Sequence, residues 1–187
     1  MKKVLLLFAI LFVSVMTTAC INNLAIQELN NKAVKYMDKG DTETAICRLK
    51  SSLDLDDEIY ETHYNLAIAY TNIGKYAEAV EELNKVLKLK PEFVDAIYTM
   101  AVAKDAIAFQ IIEKDQVIGT DSKEVTYSVK EMDEFNTKAA EVVELYNKYL
   151  VKKIDAEETE QVNKRIDEIN AQIKTFMLKL NALENKQ

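Results

Sequence analysis

The chain has 187 residues, of which 31 are acidic and 24 are basic, so its formal net charge is −7. A negative surface repels nucleic-acid phosphates, which excludes a nucleic-acid-binding protein. Three glycines, one proline and no tryptophan against 29% charged residues indicate long helices with few turns, and the length suits one stack of helices with its own core.

The N-terminus has the order of an export signal. Lys2 and Lys3 precede an apolar run over residues 4–16, which is too short to span a bilayer comfortably. Small residues at 17–19 then come directly before Cys20. This arrangement resembles the lipobox of bacterial lipoproteins, which implies removal of the signal peptide, a lipid anchor on Cys20 and a place in the bacterial cell envelope. The alternative is an ordinary secretory signal in which Cys20 has no role.

Removal of this signal leaves a more acidic chain with one free thiol. The remaining 22 basic and 31 acidic side chains give a formal net charge of −9. The sequence has two cysteines, so if Cys20 is acylated, Cys47 is the one free thiol that remains. We expect Cys47 to be a small residue packed on a helix, because a lone cysteine without a histidine and acid nearby is weak evidence for catalysis.

Residues 26–93 contain an internal repeat with a period of 34. The residues that recur at this shift are Ala33 and Ala67, Tyr36 and Tyr70, Gly40 and Gly74, Ala45 and Ala79, Leu49 and Leu83, Leu53 and Leu87, and Leu55 and Leu89. Paired alanines let the two helices of a hairpin approach closely, and the glycines turn the chain between them. The period and the residue types resemble the tetratricopeptide repeat (TPR), which implies an all-α solenoid of helical hairpins.

A third copy starts in register near Asp95 but is longer than the first two. Its helical periodicity passes the expected turn and continues through Ile112 and on toward Ile118. Turn residues follow at 119–122, and a second helix is predicted from about Val129 to about Lys153. Roughly 26 residues are added relative to the repeat period. We therefore predict an elongated third hairpin that stands out from the stack as an arm.

The last segment is predicted to be a single amphipathic helix that follows a capping box formed by Asp155 and Glu158. Its apolar residues alternate between spacings of four and three: Val162, Ile166, Ile169, Ile173, Phe176, Leu180 and Leu183. A stack of repeats ends in an apolar face, and we predict that this helix caps it and supports the arm. The alternative is a coiled coil that joins two copies into a structural homodimer.

The search for catalytic and metal-binding motifs is negative. The sequence carries neither zinc-ligand spacings, nor a glycine-rich phosphate loop, nor a serine nucleophile motif. His63, the single histidine, occupies a position where the repeat has a bulky residue between helices, so we interpret it as a packed spacer rather than a ligand or base. The sequence predicts no enzyme, no cofactor and no metal site.

The TPR resemblance also predicts a binding surface. In this family the first helix of each hairpin lines a concave groove, and residues 34 apart stack along it. The resemblance implies a partner-binding groove formed by Asn30, Val34, Glu61, Tyr64, Ile68, Asp95, Tyr98 and Val102. This surface has an apolar ridge, two tyrosines and an acidic rim. Some family members clamp a partner's C-terminal carboxylate, but here only Asn65 matches that set and the groove positions carry no cation.

These observations predict a protein-protein interaction adaptor or scaffold whose partner is another envelope protein or peptide. Its expected domains are a signal peptide over 1–19, two TPR repeats over 20–93, and the elongated hairpin with the capping helix over 94–187. One alternative is a small-molecule-binding accessory lipoprotein of a transport system, which a closed apolar pocket would favour. The other is the homodimer, which an uncovered apolar stripe on the last helix would favour.

Overall fold

The structure, a computed structural model, describes residues 21–113, 127–152 and 156–185. These ranges contain seven helices and no strand: α1 over 21–38, α2 over Thr42–Leu53, α3 over Tyr60–Asn72, α4 over Tyr76–Leu89, α5 over Val94–Glu113, α6 over Val129–Leu150 and α7 over Ala156–Glu184. The predicted all-α fold is confirmed. The predicted lipidation site Cys20, the predicted turn at 119–122 and the predicted capping residue Asp155 lie outside the described residues.

The two repeat glycines turn the chain in the same way. Gly40 has φ +77° and Gly74 has φ +72°, a left-handed conformation that side chains with a Cβ rarely adopt. The next residue then donates its backbone N–H back into the helix: Asp41 to the Tyr36 carbonyl and Lys75 to the Tyr70 carbonyl, both at 2.9 Å. This is the usual glycine termination of a helix, and it confirms the predicted turns.

The repeated alanines lie where the helices of each hairpin approach most closely. Ala33, Ala45, Ala67 and Ala79 are all completely buried. The first pair belongs to the hydrophobic cluster of the first hairpin, and the second pair to the cluster of the second hairpin. Because a larger side chain at these positions would force the helices apart, the small residues set the spacing within the stack.

The third hairpin is longer than the second. Helices α5 and α6 have 20 and 22 residues, whereas α3 and α4 have 13 and 14. At about 1.5 Å per residue the difference extends the described part of the hairpin by about 10–12 Å, which confirms the predicted elongation. Helix α6 begins with a capping box that the sequence reading missed: Ser128 Oγ accepts from the Glu131 backbone N–H, and the Glu131 carboxylate accepts from the Ser128 N–H.

Helix α7 covers the end of the stack. It shares one cluster of buried residues with α5 and α6, here called the cap cluster: Ile97, Ala101, Ala108, Ile112, Met132, Phe135, Ala139, Val142, Tyr146, Tyr149, Val162, Ile166, Ile169 and Phe176. The Phe176 ring meets the Phe135 ring edge-on at 5.3 Å, so α7 also supports the arm. The predicted capping role is confirmed, although Leu183 at the end of the stripe stays 43% exposed.

Cys47 is exposed on α2, so the expectation that it packs on a helix is wrong. The buried side of α2 is formed by Ala45, Ile46 and Leu49. Because successive residues of a helix are rotated by about 100°, residue 47 faces away from the buried side on which residues 45 and 49 lie.

Among the described residues, the helices are all too short or too polar to cross a bilayer.

Candidate partner-binding groove

The first helices of the hairpins form one layer, which polar side chains connect from helix to helix. Asn65 of α3 donates its side-chain amide to Asn30 of α1 at 2.9 Å. The Tyr64 hydroxyl of α3 lies 3.4 Å from Thr99 Oγ1 of α5. The ion pair between Asp105 of α5 and an arginine of α7 continues the layer. The predicted groove residues lie on α1, α3 and α5, and α7 borders the layer on its far side.

The apolar ridge of the groove is open at its N-terminal end. Val34 is 39% exposed, and Ile68 and Val102 are half-buried. Val102 also packs against the cap cluster. The rim residues Glu61 and Asp95 are exposed in the first turns of α3 and α5. The structure therefore brings the ridge and the two rim acids onto neighbouring helices, as the repeat register predicts.

Asn30 has a structural environment that the sequence reading missed. Its amide nitrogen lies 3.0 Å from Ser52 Oγ and 2.8 Å from Thr62 Oγ1, and its Oδ1 accepts from Asn65. Ser52 and Thr62 are completely buried. Asn30 thus joins the first hairpin to the second through polar contacts. The amide of Asn65, the one position that matches the carboxylate clamp, is already used within the protein.

Tyr64 belongs to an aromatic patch at the start of α3. Its ring meets Phe93 at 4.9 Å, and Tyr60 meets the same ring at 5.4 Å, both edge-on. The Lys90 ammonium donates to the Tyr60 hydroxyl at 2.7 Å and lies 4.1 Å from the centre of that ring. Lys90 is a cation beside the groove that the repeat register missed, because it ends α4 rather than lining a first helix.

Tyr98 of α5 is half-buried against α6, the second helix of the same hairpin. Its ring centre lies 4.9 Å from that of Tyr149 and 6.2 Å from that of Tyr146. Burial raises the pKa of both α6 tyrosines well above their ordinary range, so their hydroxyls stay neutral at physiological pH. Tyr98 therefore contributes to the packing of the third hairpin, in contrast to the freely exposed anchor that the register suggested.

Arg165 of α7 supplies a partly exposed counter-charge to a buried acid, which the sequence reading also missed. Its guanidinium binds Asp105 through two nitrogens, Nε at 2.8 Å and Nη2 at 3.0 Å, and the Tyr146 hydroxyl donates to the same carboxylate at 3.3 Å. Arg165 also lies 4.3 Å over the Phe109 ring. Hydrogen bonding to Asp105 raises the pKa of Arg165 further above its ordinary range. The charge of Asp105 on α5 is thereby neutralised by the capping helix.

His63 is buried and tied to its surroundings by both ring nitrogens. Nδ1 lies 2.5 Å from Glu82 Oε2, and Nε2 lies 2.8 Å from the Asp57 carbonyl oxygen. A carbonyl oxygen only accepts, so Nε2 carries a proton. The side chain connects α3 to α4 and to the loop before α3, as expected for a packed spacer. In the described ranges no group of three potential metal ligands comes together.

Comparisons with known proteins agree with this architecture. Residues 60–93 match the tetratricopeptide repeat family. Among curated protein sequences none matches the chain.

Solved TPR structures share the fold of the chain. The translocator chaperone SycD of Yersinia enterocolitica is 14% identical over 80% of this chain and 86% of its own, with a TM-score of 0.54. The first TPR of Spaghetti (RPAP3), bound to an HSP90 peptide, is 18% identical over 79% and 92%, with a TM-score of 0.52. The first TPR domain of human RPAP3 is 17% identical over 81% and 94%, with a TM-score of 0.51. The chain thus contains a TPR and has the fold of a TPR solenoid.

Proposed function

We propose that this protein is a membrane-anchored adaptor of the bacterial cell envelope that holds a segment of another envelope protein along the groove of α1, α3 and α5. The row of Val34, Ile68 and Val102 on successive first helices carries the proposal, because partly exposed apolar side chains aligned across a surface favour a binding site. The peptide bound to the first TPR of Spaghetti supports this use of the fold.

The openness of this surface supports an adaptor over a small-molecule carrier. Val34, Glu61 and Asp95 are exposed to solvent, and the ridge runs across three helices. A drug-sized ligand is usually held in a cleft that covers most of its surface, whereas an extended or helical protein segment can lie on an open row of anchors.

The position of α7 favours a capping role for this helix and argues against a role in dimerisation. Val162, Ile166, Ile169 and Phe176 of its apolar stripe are buried against the chain's own α5 and α6. A homodimer through this stripe would need these side chains to be uncovered. The buried part of the stripe is therefore occupied within one chain.

The charges of the groove favour a partner segment without a free carboxylate. Glu61 and Asp95 line the rim, and the amide of Asn65 is engaged with Asn30. A carboxylate brought to this rim would meet like charges, which costs free energy and slows association. An apolar segment with neutral or basic flanks suits the groove better.

Replacing Val34 and Ile68 with serine should weaken partner binding at least about tenfold, because both apolar anchors are lost from the ridge. Tyr98 is left unchanged, since it packs against Tyr149 and its removal would disturb the third hairpin. The partner would first be identified by crosslinking the intact protein in its own envelope and purifying the adducts. Its affinity for parent and variant would then be measured, with circular dichroism and melting to verify folding.

The matched control is Leu55→Ser with Leu89→Ser. These leucines are also 34 residues apart and are 41% and 42% exposed, but Leu89 is the last residue of the second helix α4 and Leu55 lies in the turn after the second helix α2. The control should leave binding near that of the parent. If both double variants recover the partner equally well, the ridge is not the binding surface and the proposed adaptor groove is wrong.

Replacing Cys20 with serine should move the protein from the membrane fraction to the soluble fraction, because acyl chains on this residue would provide the anchor. Helix α1 is already formed at residue 21, so an anchor on Cys20 would hold the domain close to the bilayer. The measurement is cell fractionation together with incorporation of a labelled fatty acid. Cys47→Ser is the control and should keep both the membrane location and the label. Membrane retention of the Cys20→Ser chain, with an unlabelled parent, would contradict the lipid anchor.

A further inference from the structure

A second groove lies on the arm, between the first turns of α6 and the last turns of α7, and we call it the distal groove. Its volume is about 440 Å³, and its apolar lining residues are Val129, Met177, Leu180 and Leu183. Leu180 packs partly against the cap cluster and forms the floor. The distal groove is formed by other helices than the groove of α1, α3 and α5 and is independent of the function proposed above.

The walls of the distal groove expose large apolar side chains. Val129 is 50% exposed, Met177 55% and Leu183 43%. Single exposed apolar residues are common on protein surfaces, but a group of them around one concavity is typical of an interaction site. The groove runs along about two turns of each helix, roughly 12 Å, which suits a short helical segment better than a compact small molecule.

The distal groove also contains an unsatisfied polar atom. Asn136 lines the groove, and its Oδ1 is buried without a hydrogen-bond partner among the described residues. A buried acceptor without a donor costs free energy, so native structures pair nearly all of them. Because this oxygen is itself covered, a bound segment that supplies an N–H group would remove the cost only once the Asn136 amide rotates to present the oxygen to the groove.

The charged residues that line the distal groove, as far as the structure describes it, are both acidic. Asp133 on the α6 wall and Glu184 on the α7 wall are both exposed, and neither forms an ion pair with another described residue. Lysine and arginine are missing from the residues of its lining that the structure describes. The groove therefore combines an apolar floor, two carboxylates and an unpaired acceptor, which together fit a ligand that is apolar on one face and carries cationic N–H donors.

We propose that the distal groove binds a cationic amphipathic helix of a protein partner. Apolar side chains spaced three and four residues apart would pack between Met177 and Leu180, as one helix packs into the groove between two others. Lysine or arginine side chains would pair with Asp133 and Glu184, and one donor would bind Asn136 Oδ1 after rotation of the Asn136 amide. The same carboxylates repel anionic lipid headgroups, so the membrane surface is a poor occupant.

The probe for this proposal is a fluorescent helical peptide of about 14 residues, with leucines spaced three and four residues apart and lysines on its other face. Binding to the purified full chain is measured by fluorescence anisotropy at low and physiological salt. A matched peptide with glutamates in place of the lysines should bind at least about tenfold more weakly. Equal binding of both peptides, or no binding of the lysine peptide, would overturn the proposal.

Asn136→Leu tests the unpaired acceptor. Leucine has a similar size and removes the buried polar atom, so the variant should melt at the same temperature as the parent or higher, yet bind the lysine probe more weakly. Leu183→Ser should also weaken binding, because it removes part of the apolar wall. Parent-like affinity in both variants would show that the probe does not occupy the distal groove.

Two double variants with the same change in net charge separate the site from general attraction. Asp133→Asn with Glu184→Gln should slow association of the lysine probe about tenfold at low salt, whereas Glu61→Gln with Asp95→Asn should leave it near the parent rate. Equal effects would show non-specific charge attraction and would overturn the proposal. If only the Glu61→Gln with Asp95→Asn variant slows association, the probe binds in the groove of α1, α3 and α5, which would also overturn the proposal. The chain could also associate with itself. If Leu183→Ser abolishes that self-association, the distal groove binds a second copy of the chain, and the proposal is wrong.

Discussion

Replacing Ile169 with aspartate should lower the free energy of unfolding by about 4 kcal/mol or more, because the change removes a buried apolar side chain and places a charge in the core. Ile169 is completely buried in the cap cluster, where α7 meets α5 and α6. The measurement is urea denaturation monitored by circular dichroism, with thermal melting as a second probe.

The control for this prediction is Met177→Asp on the same helix. Met177 is 55% exposed, so the same substitution should change stability by no more than about 0.5 kcal/mol. An Ile169→Asp chain that keeps its stability but loses a dimer would contradict the capping role and restore the coiled-coil alternative.

Loss of the cap should also change how the chain unfolds. The hydrophobic clusters of the first two hairpins are built around the paired alanines; the second cluster also includes Ala96, Met100 and Ala103 of α5, and α7 contributes to neither. In a stack of repeats each unit contacts mainly its neighbours, so disruption at one end need not spread at once to the other. The Ile169→Asp chain should therefore show an early transition from α7 and the parts of α5 and α6 that pack against it, followed by a later one from the first two hairpins.

Much of this fold could be predicted because its determinants are local and repeated. Gly40 and Gly74 fix two turns through their backbone conformation, and Ala33 and Ala67 fix close helix contacts through their size. These properties belong to the residues themselves and recur at one period. The alternating spacing that ends at Leu183 identified α7 for the same reason.

The missed features depend on contacts between repeat and non-repeat parts of the chain. Tyr98 occupies a groove position in the repeat register and Asp105 lies farther along the same helix, but α6 covers Tyr98 with Tyr149 and α7 pairs Asp105 with Arg165. A period states which side of a helix a residue lies on, and it cannot state which later segment will pack there. The orphan oxygen of Asn136 is of the same kind, since its burial depends on how α7 docks.

Replacing Arg165 with methionine should lower the free energy of unfolding by about 2–4 kcal/mol, because it leaves the Asp105 carboxylate buried with the Tyr146 hydroxyl as its remaining donor. The Asp105 side chain is 10% exposed and that of Arg165 is 34% exposed, so the arginine can regain water more easily than the aspartate. We therefore expect Asp105→Asn alone to cost less than Arg165→Met alone. Both would be measured by urea denaturation at neutral pH.

The double variant Asp105→Asn with Arg165→Met decides whether charge or shape is responsible for this cost. Asparagine keeps an acceptor for Tyr146 and removes the charge, while methionine keeps most of the apolar length of the arginine side chain and loses the guanidinium that lies over Phe109. If the unpaired carboxylate causes the loss, the double variant should be more stable than Arg165→Met alone, which is opposite to simple addition of two destabilising changes. Additive losses would instead mean that α7 is held mainly by the packing of Arg165. Glu168→Gln, which removes the arginine's other and half-exposed partner, should change stability by less than about 0.5 kcal/mol in either case.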